Sequence, residues 1–180
     1  MERDESVTEG LYGMFRDVLR DDRGRVIWER PWIKNVIVTD CRRLLAGFLR
    51  GAPTVSLSIQ GLQVGVGLAS WDAAGPPAPN PTQVALVDPF PFTVPAAALQ
   101  KDFLAGAVVS ATPTNRLQIR ATLGAGVPPW PDIHHTDITL REFGLSASLD
   151  GMPVLINYRT HPAIAKDPVS TLERTIWLVF

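Results

Sequence analysis

Residues 137–180, DITLREFGLSASLDGMPVLINYRTHPAIAKDPVSTLERTIWLVF, decide the fold. They read as a β-hairpin followed by a terminal strand. Asp150 and Gly151 sit between two alternating apolar runs, and Asp-Gly favours a type I′ turn because both central residues need positive φ. Closure by Leu149 and Met152 predicts Ala147 opposite Val154, Leu145 opposite Ile156 and Phe143 opposite Tyr158, an apolar face that must be covered. On the other face Glu142 is expected opposite Arg159, an opposite-charge pair that needs no catalytic explanation. The apolar phase changes by one between Ile138 and Leu140 upstream and Phe143, Leu145, Ala147 and Leu149 downstream, which predicts a β-bulge near Arg141 and Glu142. In the final strand Leu172, Ile176, Leu178 and Phe180 share one parity, interrupted only by Arg174, and are expected in the core. Trp177 and Val179 have the opposite parity, and the helix or a partner subunit is expected to cover them.

Working outward, 180 residues with 46% hydrophobic content suit one domain, residues 10–180, behind a polar tail of residues 1–9. The formal net charge is -1 and Lys and Arg are scattered, so neither nucleic acid nor an anionic membrane is expected as a partner. Cys41 is the single cysteine, which excludes an internal disulfide and a cysteine-based zinc site and fits assembly in a reducing cytoplasm. No run reaches transmembrane length and the start, MERDESVTEG, is acidic and polar; neither membrane insertion nor a signal peptide is expected.

The predicted class is mainly β, an antiparallel β-sandwich with one short α-helix and long proline-rich loops. Residues 11–35 read as a strand, a polar turn at Asp21 to Gly24 and a second strand at an edge, interrupted by Pro31. Thr39 is read as an N-cap, with Cys41, Leu44, Leu45 and Phe48 at helical spacing before Gly51. Val55 to Ile59 and Leu62 to Leu68 alternate as strands. Gly65-Val66-Gly67 is not followed by a helix, which argues against a phosphate loop. Residues 71–95 hold seven prolines and are expected as a long ordered loop, neither central strand nor helix. Gly106 to Ala111 and Asn115 to Leu123 are read as an antiparallel pair, followed by a second loop, GAGVPPWPDIHHTD.

The chain carries motifs that resemble a broad family of bacteriophage tail proteins. Glu142, Gly144 and Leu145 match a Glu-x-Gly-Leu strand end, Arg159 and Ile164 to Lys166 match the following strand and its I-x-K segment, and Trp177 and Phe180 match a closing W-x-x-F strand. Near the start, Asn35, Ile37 and Val38 match a strand that leads into a short helix, and the strand with Gly65 and Gly67 has its counterpart there too. The resemblance implies a structural module, with Glu142, Gly144, Asp150, Gly151, Arg159, Trp177 and Phe180 as structural positions.

No positioned chemistry accompanies it. Ser146 and Ser148 lack a Gly-x-Ser-x-Gly elbow, Cys41 falls on a buried helix face, and no enzyme activity is expected. Asp132, His134, His135 and Asp137 invite a metal hypothesis, yet adjacent histidines on a strand point to opposite sides and His161 lies in another segment, so neither metal nor cofactor is expected. The reading is therefore a structural component of a phage tail or related contractile injection particle, placed at baseplate, tail tip or fibre attachment and assembled in the bacterial cytoplasm. Its expected partners are copies of itself in a trimer or hexameric ring and other tail proteins. Trp71, Val84, Leu86, Phe90, Phe92 and Trp130 are the interface candidates. The alternative is a carbohydrate-binding sandwich module using an exposed aromatic such as Trp130.

Overall fold

In the computed structural model, which describes residues 10–51, 55–149 and 151–180, the terminal strand is β12 (Thr171–Val179). It pairs antiparallel on one side with β1 (Tyr12–Arg20), from Tyr12↔Val179 to Arg20↔Thr171, and on the other with β8 (Arg116–Leu123). The first and last strands of the domain are thus direct neighbours. Strict alternation puts Phe15, Asp17 and Leu19 of β1 and Leu172, Arg174, Ile176 and Leu178 of β12 inward. Phe180 departs from expectation. It lies one residue past the last β1–β12 pair, has no facing strand to cover it, and is 52% exposed, with its backbone N–H donating to the Asn115 carbonyl. Trp177 is covered within the chain by Trp32, ring centroids 4.2 Å apart, and its indole N–H donates to Gln118 Oε1 at 3.0 Å.

The hairpin forms as β9 (Thr139–Leu149) and β10 (Met152–Leu155), with Met152↔Leu149 and Val154↔Ala147 as predicted. Gly151 has φ 77, as the turn requires, and Asp150 lies outside the described residues. The expected register is lost after Leu155. Ile156 still donates its N–H to the Leu145 carbonyl at 2.8 Å, but its own carbonyl accepts from Val38 N–H, and the Asn157 side-chain Oδ1 takes the Leu145 N–H at 2.7 Å in its place. The chain resumes as β11 (Asn157–Ala165) shifted by one, with Arg159↔Phe143 and Thr160↔Glu142. The predicted Glu142–Arg159 and Phe143–Tyr158 pairs do not form. The ladder then breaks again between Thr160↔Glu142 and Ile164↔Leu140, at the predicted position, but the extra residues sit on β11 opposite Arg141. Ile138, Leu140, Phe143, Leu145 and Ala147 all reach the core.

The remaining strands are β2 (Val26–Glu29), β3 (Ile33–Ile37), β4 (Val55–Gly65), β5 (Phe92–Pro95), β6 (Gln100–Ala105) and β7 (Val108–Ser110). Every pairing is antiparallel, and the order is β5-β4-β9-β11-β3-β1-β12-β8-β6-β7, with β2 on β1 and β10 on β9. The predicted mainly antiparallel β class holds, but the strands form one open hydrogen-bonded sheet in place of two separate ones. Among the described residues its halves pair through Asn157↔Ile37 and Tyr158↔Val36 between β11 and β3, beside which Val38 N–H donates to the Ile156 carbonyl at 3.1 Å. One buried cluster draws on both, and Phe15 of β1 meets Phe143 of β9 edge-on with centroids 4.9 Å apart.

Several local expectations change. Val108–Ser110 pairs with β6 across Gly106, and β8 pairs with β6 on its other side, so the predicted 106–111/115–123 hairpin is replaced by a three-strand unit with β6 in the middle. Residues 55–65 are one strand with an irregularity between Ser56 and Gly61. Helix α1 (Thr39–Arg50) ends on Gly51 in the left-handed region, φ 80, as predicted. Its N-cap is Val38 without a side-chain cap, and of the predicted apolar face Cys41 and Leu44 are buried while Phe48 is 58% exposed. The proline-rich segment contains a one-turn helix, α2 (Trp71–Ala74), and β5 at the sheet edge.

Candidate functional site

The motif residue Glu142 is fully buried, and its carboxylate accepts three hydrogen bonds: Asp88 N–H to Oε1 at 2.7 Å, Val87 N–H to Oε2 at 3.0 Å and the Tyr158 hydroxyl to Oε2 at 2.6 Å. Glu142 thus clamps the proline-rich segment onto β9 in place of pairing with Arg159. Tyr158 is held protonated, its pKa raised by burial and by the Glu142 carboxylate. Next to it Arg141 grips Asp72 of α2 through Nε at 2.8 Å and Nη2 at 2.7 Å, and donates from Nη1 to the Val66 carbonyl at 3.0 Å. Hydrogen bonding to Asp72 raises Arg141, and Arg141 in turn lowers Asp72.

The glycines of the motifs make room for this clamp. A Cβ on Gly65 would lie 2.8 Å from Asp88 Cβ and 2.9 Å from Glu142 Oε1, and one on Gly144 would lie 2.7 Å from the Asn157 carbonyl. The Gly65-Val66-Gly67 run is a packing device.

The histidine loop belongs to the same assembly. His135 is buried with both ring nitrogens facing carboxylates, Nε2 to Asp88 Oδ2 at 3.1 Å and Nδ1 to Asp132 Oδ1 at 2.9 Å, and Trp130 stacks on its ring at 3.9 Å. His134 stacks on Phe90 at 3.6 Å. In this Asp-His-Asp chain both ring nitrogens are committed to carboxylates, the Asp132 side chain being 37% exposed and that of Asp88 buried. Asp132 also accepts the His134 and His135 backbone N–H groups, and these outweigh desolvation to lower its pKa. No group of His, Cys, Asp and Glu arranged to hold a metal occurs among the described residues. Cys41 is raised to about 11 by burial and is no thiolate nucleophile.

The interface candidates divide. Trp71, Leu86 and Trp130 are buried within the domain at 9%, 7% and 7% exposure, and Phe92 is half-buried in β5. Val84 and Phe90 remain 66% and 52% exposed. The buried Trp130 offers no sugar platform. An open groove of about 570 Å³ beside Trp32 is lined by Arg16, Arg20 and Arg120, each already paired, with Glu29, Glu173 and Asp102 respectively.

Sequence reasoning missed two clusters of exposed apolar side chains at sheet edges. Edge strand β2 presents Val26, Ile27 and Trp28 in succession at 50%, 54% and 38% exposure, and edge strand β7 presents Val108 and Val109 at 70% and 55%, beside Phe103 at 38%. Pro31 marked the first edge; nothing in the sequence marked Val108 as an edge, because its pairing with β6 depends on which strand takes the other side of β6. No helix among the described residues is long and apolar enough to cross a membrane. Comparison of the chain with family models, curated proteins and solved structures finds no match.

Proposed function

We propose that this protein is a structural component of a phage tail or related contractile injection particle, acting by protein–protein assembly and without turnover. The observation that carries the reading is the pair of apolar sheet edges, Val26 to Trp28 on β2 and Val108 to Val109 on β7. Unpaired backbone groups flanked by apolar side chains recruit another chain, and although both strands are short and Pro31 follows the first, each carries exposed apolar side chains on both faces. The buried polar clusters, whose hydrogen bonds serve the fold, support the same reading, as does the resemblance of Glu142, Gly144, Leu145, Trp177 and Phe180 to tail-protein motifs. Partners are copies of the chain around a three-fold or six-fold axis and neighbouring tail proteins.

Sedimentation over a range of protein concentrations tests the edges. The unaltered chain is expected to self-associate, and Ile27→Lys with Val108→Lys to remain monomeric with an unchanged melting transition. A chain that stays monomeric at high concentration removes the self-assembly part of the reading, and a density map of a particle in which the edges face solvent removes the rest.

A further inference from the structure

Where the two halves of the sheet meet, Arg30, Arg159 and Arg174 place their guanidinium carbons 5.8, 5.9 and 5.9 Å from the centroid of one ring, Phe15. Among the described residues one carboxylate answers them. Asp17 takes Arg174 Nε at 2.7 Å and Nη2 at 2.9 Å, and lies 3.5 Å from Arg30 Nε, whereas Arg159 has no ion pair with a described residue. Arg174 is fully buried and Arg30 is 7% exposed. His161, buried beside them, accepts from Arg174 Nη2 at 3.1 Å and is neutral.

Arg174 and Arg30 therefore share one interior anion, half-buried Arg159 is left without one, and one buried donor on each of the three is unanswered. Arg30 Nε, Arg159 Nε and Arg174 Nη1 are all buried without a hydrogen-bond partner. Asn35 on β3, the strand between β1 and β11, is buried with its amide nitrogen and oxygen likewise unpartnered. Ring faces offset part of the charge, Arg174 lying 4.0 Å over Phe143 and Arg30 5.0 Å over Trp28, but a π face does not satisfy these in-plane N–H donors. Water satisfies donors and leaves the charge; a buried cation is retained where an anion and hydrogen bonds both meet it.

The geometry points to a binding site for one small inorganic anion, of the halide or small oxyanion class, held by Arg30, Arg159 and Arg174 beside Asp17. Arg159, only partly buried, is the member through which the ion reaches solvent. Guanidinium groups suit this task because they stay charged when desolvated and present planar, weakly hydrated donors. The site is independent of the edges proposed for assembly.

The test exchanges gluconate, too large to enter, for bromide at constant ionic strength and follows the melting temperature. The expected result is a saturable rise, with an apparent affinity weakened at least about tenfold in Arg159→Gln, the loss of one charge-assisted contact. That variant leaves the Asp17–Arg174 pair in place, and its unchanged far-ultraviolet spectrum identifies a folded chain. A crystal grown in bromide is expected to show an anomalous peak among the three guanidinium groups. A response that is linear and identical in both proteins, or crystals without that peak, overturns the proposal.

Discussion

Asp17 and Arg174 stand directly opposite each other in the β1–β12 ladder, both fully buried, and join the first strand of the domain to the last through two hydrogen bonds of 2.7 and 2.9 Å. Burial alone would raise Asp17; Arg174, with Arg30 behind it, outweighs that and holds the carboxyl below its usual range. Removing one partner leaves an uncompensated interior charge. Asp17→Asn is expected to destabilise by ~3 kcal/mol or more, whereas Asp17→Leu combined with Arg174→Met should recover much of the loss. Denaturant titration of the three proteins checks this, and a double variant no better than the single one contradicts it.

His161 makes stability depend on pH in a window that begins well above that of Asp17. Burial first, then Arg174, pushes it down to about 3 from 6.5, so the folded chain refuses a proton that the unfolded chain takes up. Its contribution is complete above pH 6.5 and is lost as pH falls toward 3, at up to ~1.4 kcal/mol per pH unit. Asp17, depressed from 3.8, adds its own loss only at the acid end of that window. Melting temperatures should fall between pH 6.5 and 5 in the unaltered protein and stay flat in His161→Gln; a flat profile in both would show that His161 takes no part.

Glu142→Ala strips the acceptor from the Val87 and Asp88 N–H groups and the Tyr158 hydroxyl at once. At ~1–3 kcal/mol for each stranded buried donor, the loss should reach ~3 kcal/mol, against ~1 kcal/mol for Tyr158→Phe. Hydrogen exchange at Val87 and Asp88 should accelerate, and cleavage by proteases should appear near Val84. Unchanged exchange at those two amides would mean that the segment is held by other contacts.

Gly144→Ala forces a methyl to within 2.7 Å of the Asn157 carbonyl, at the point where β11 shifts register. Backbone cannot yield as a flexible side chain can, and the cost is expected at ~1–3 kcal/mol. Gly106→Ala has open space around its Cβ but a φ of 64, so its cost should be ~1 kcal/mol from backbone strain alone. Urea midpoints compare the two; equal losses would place the cause of the first in φ preference and not in packing.

What the sequence alone determined is whatever local pattern dictates. Alternation identified β1, β9 and β12, Asp150-Gly151 placed the hairpin and its first pairs, and the Leu-rich spacing before Gly51 located α1, because side-chain period and turn conformation are set within a few residues. The phase change at Arg141 likewise announced a break in pairing. Tertiary structure decided what depends on partners distant in the chain. Whether Glu142 meets Arg159 or the backbone of residues 87 and 88 turned on one step at Ile156, and a one-residue slip reassigns every contact beyond it. Arg174 read as an interruption in an apolar strand, since nothing within that strand tells that Asp17, at the other end of the chain, lies opposite. Trp71 and Trp130 likewise look equally suited to an interface or to a core, and only the packing of α2 and the stacking on His135 put them inside. Charge and aromatic area state that a side chain needs a partner; the fold supplies which one.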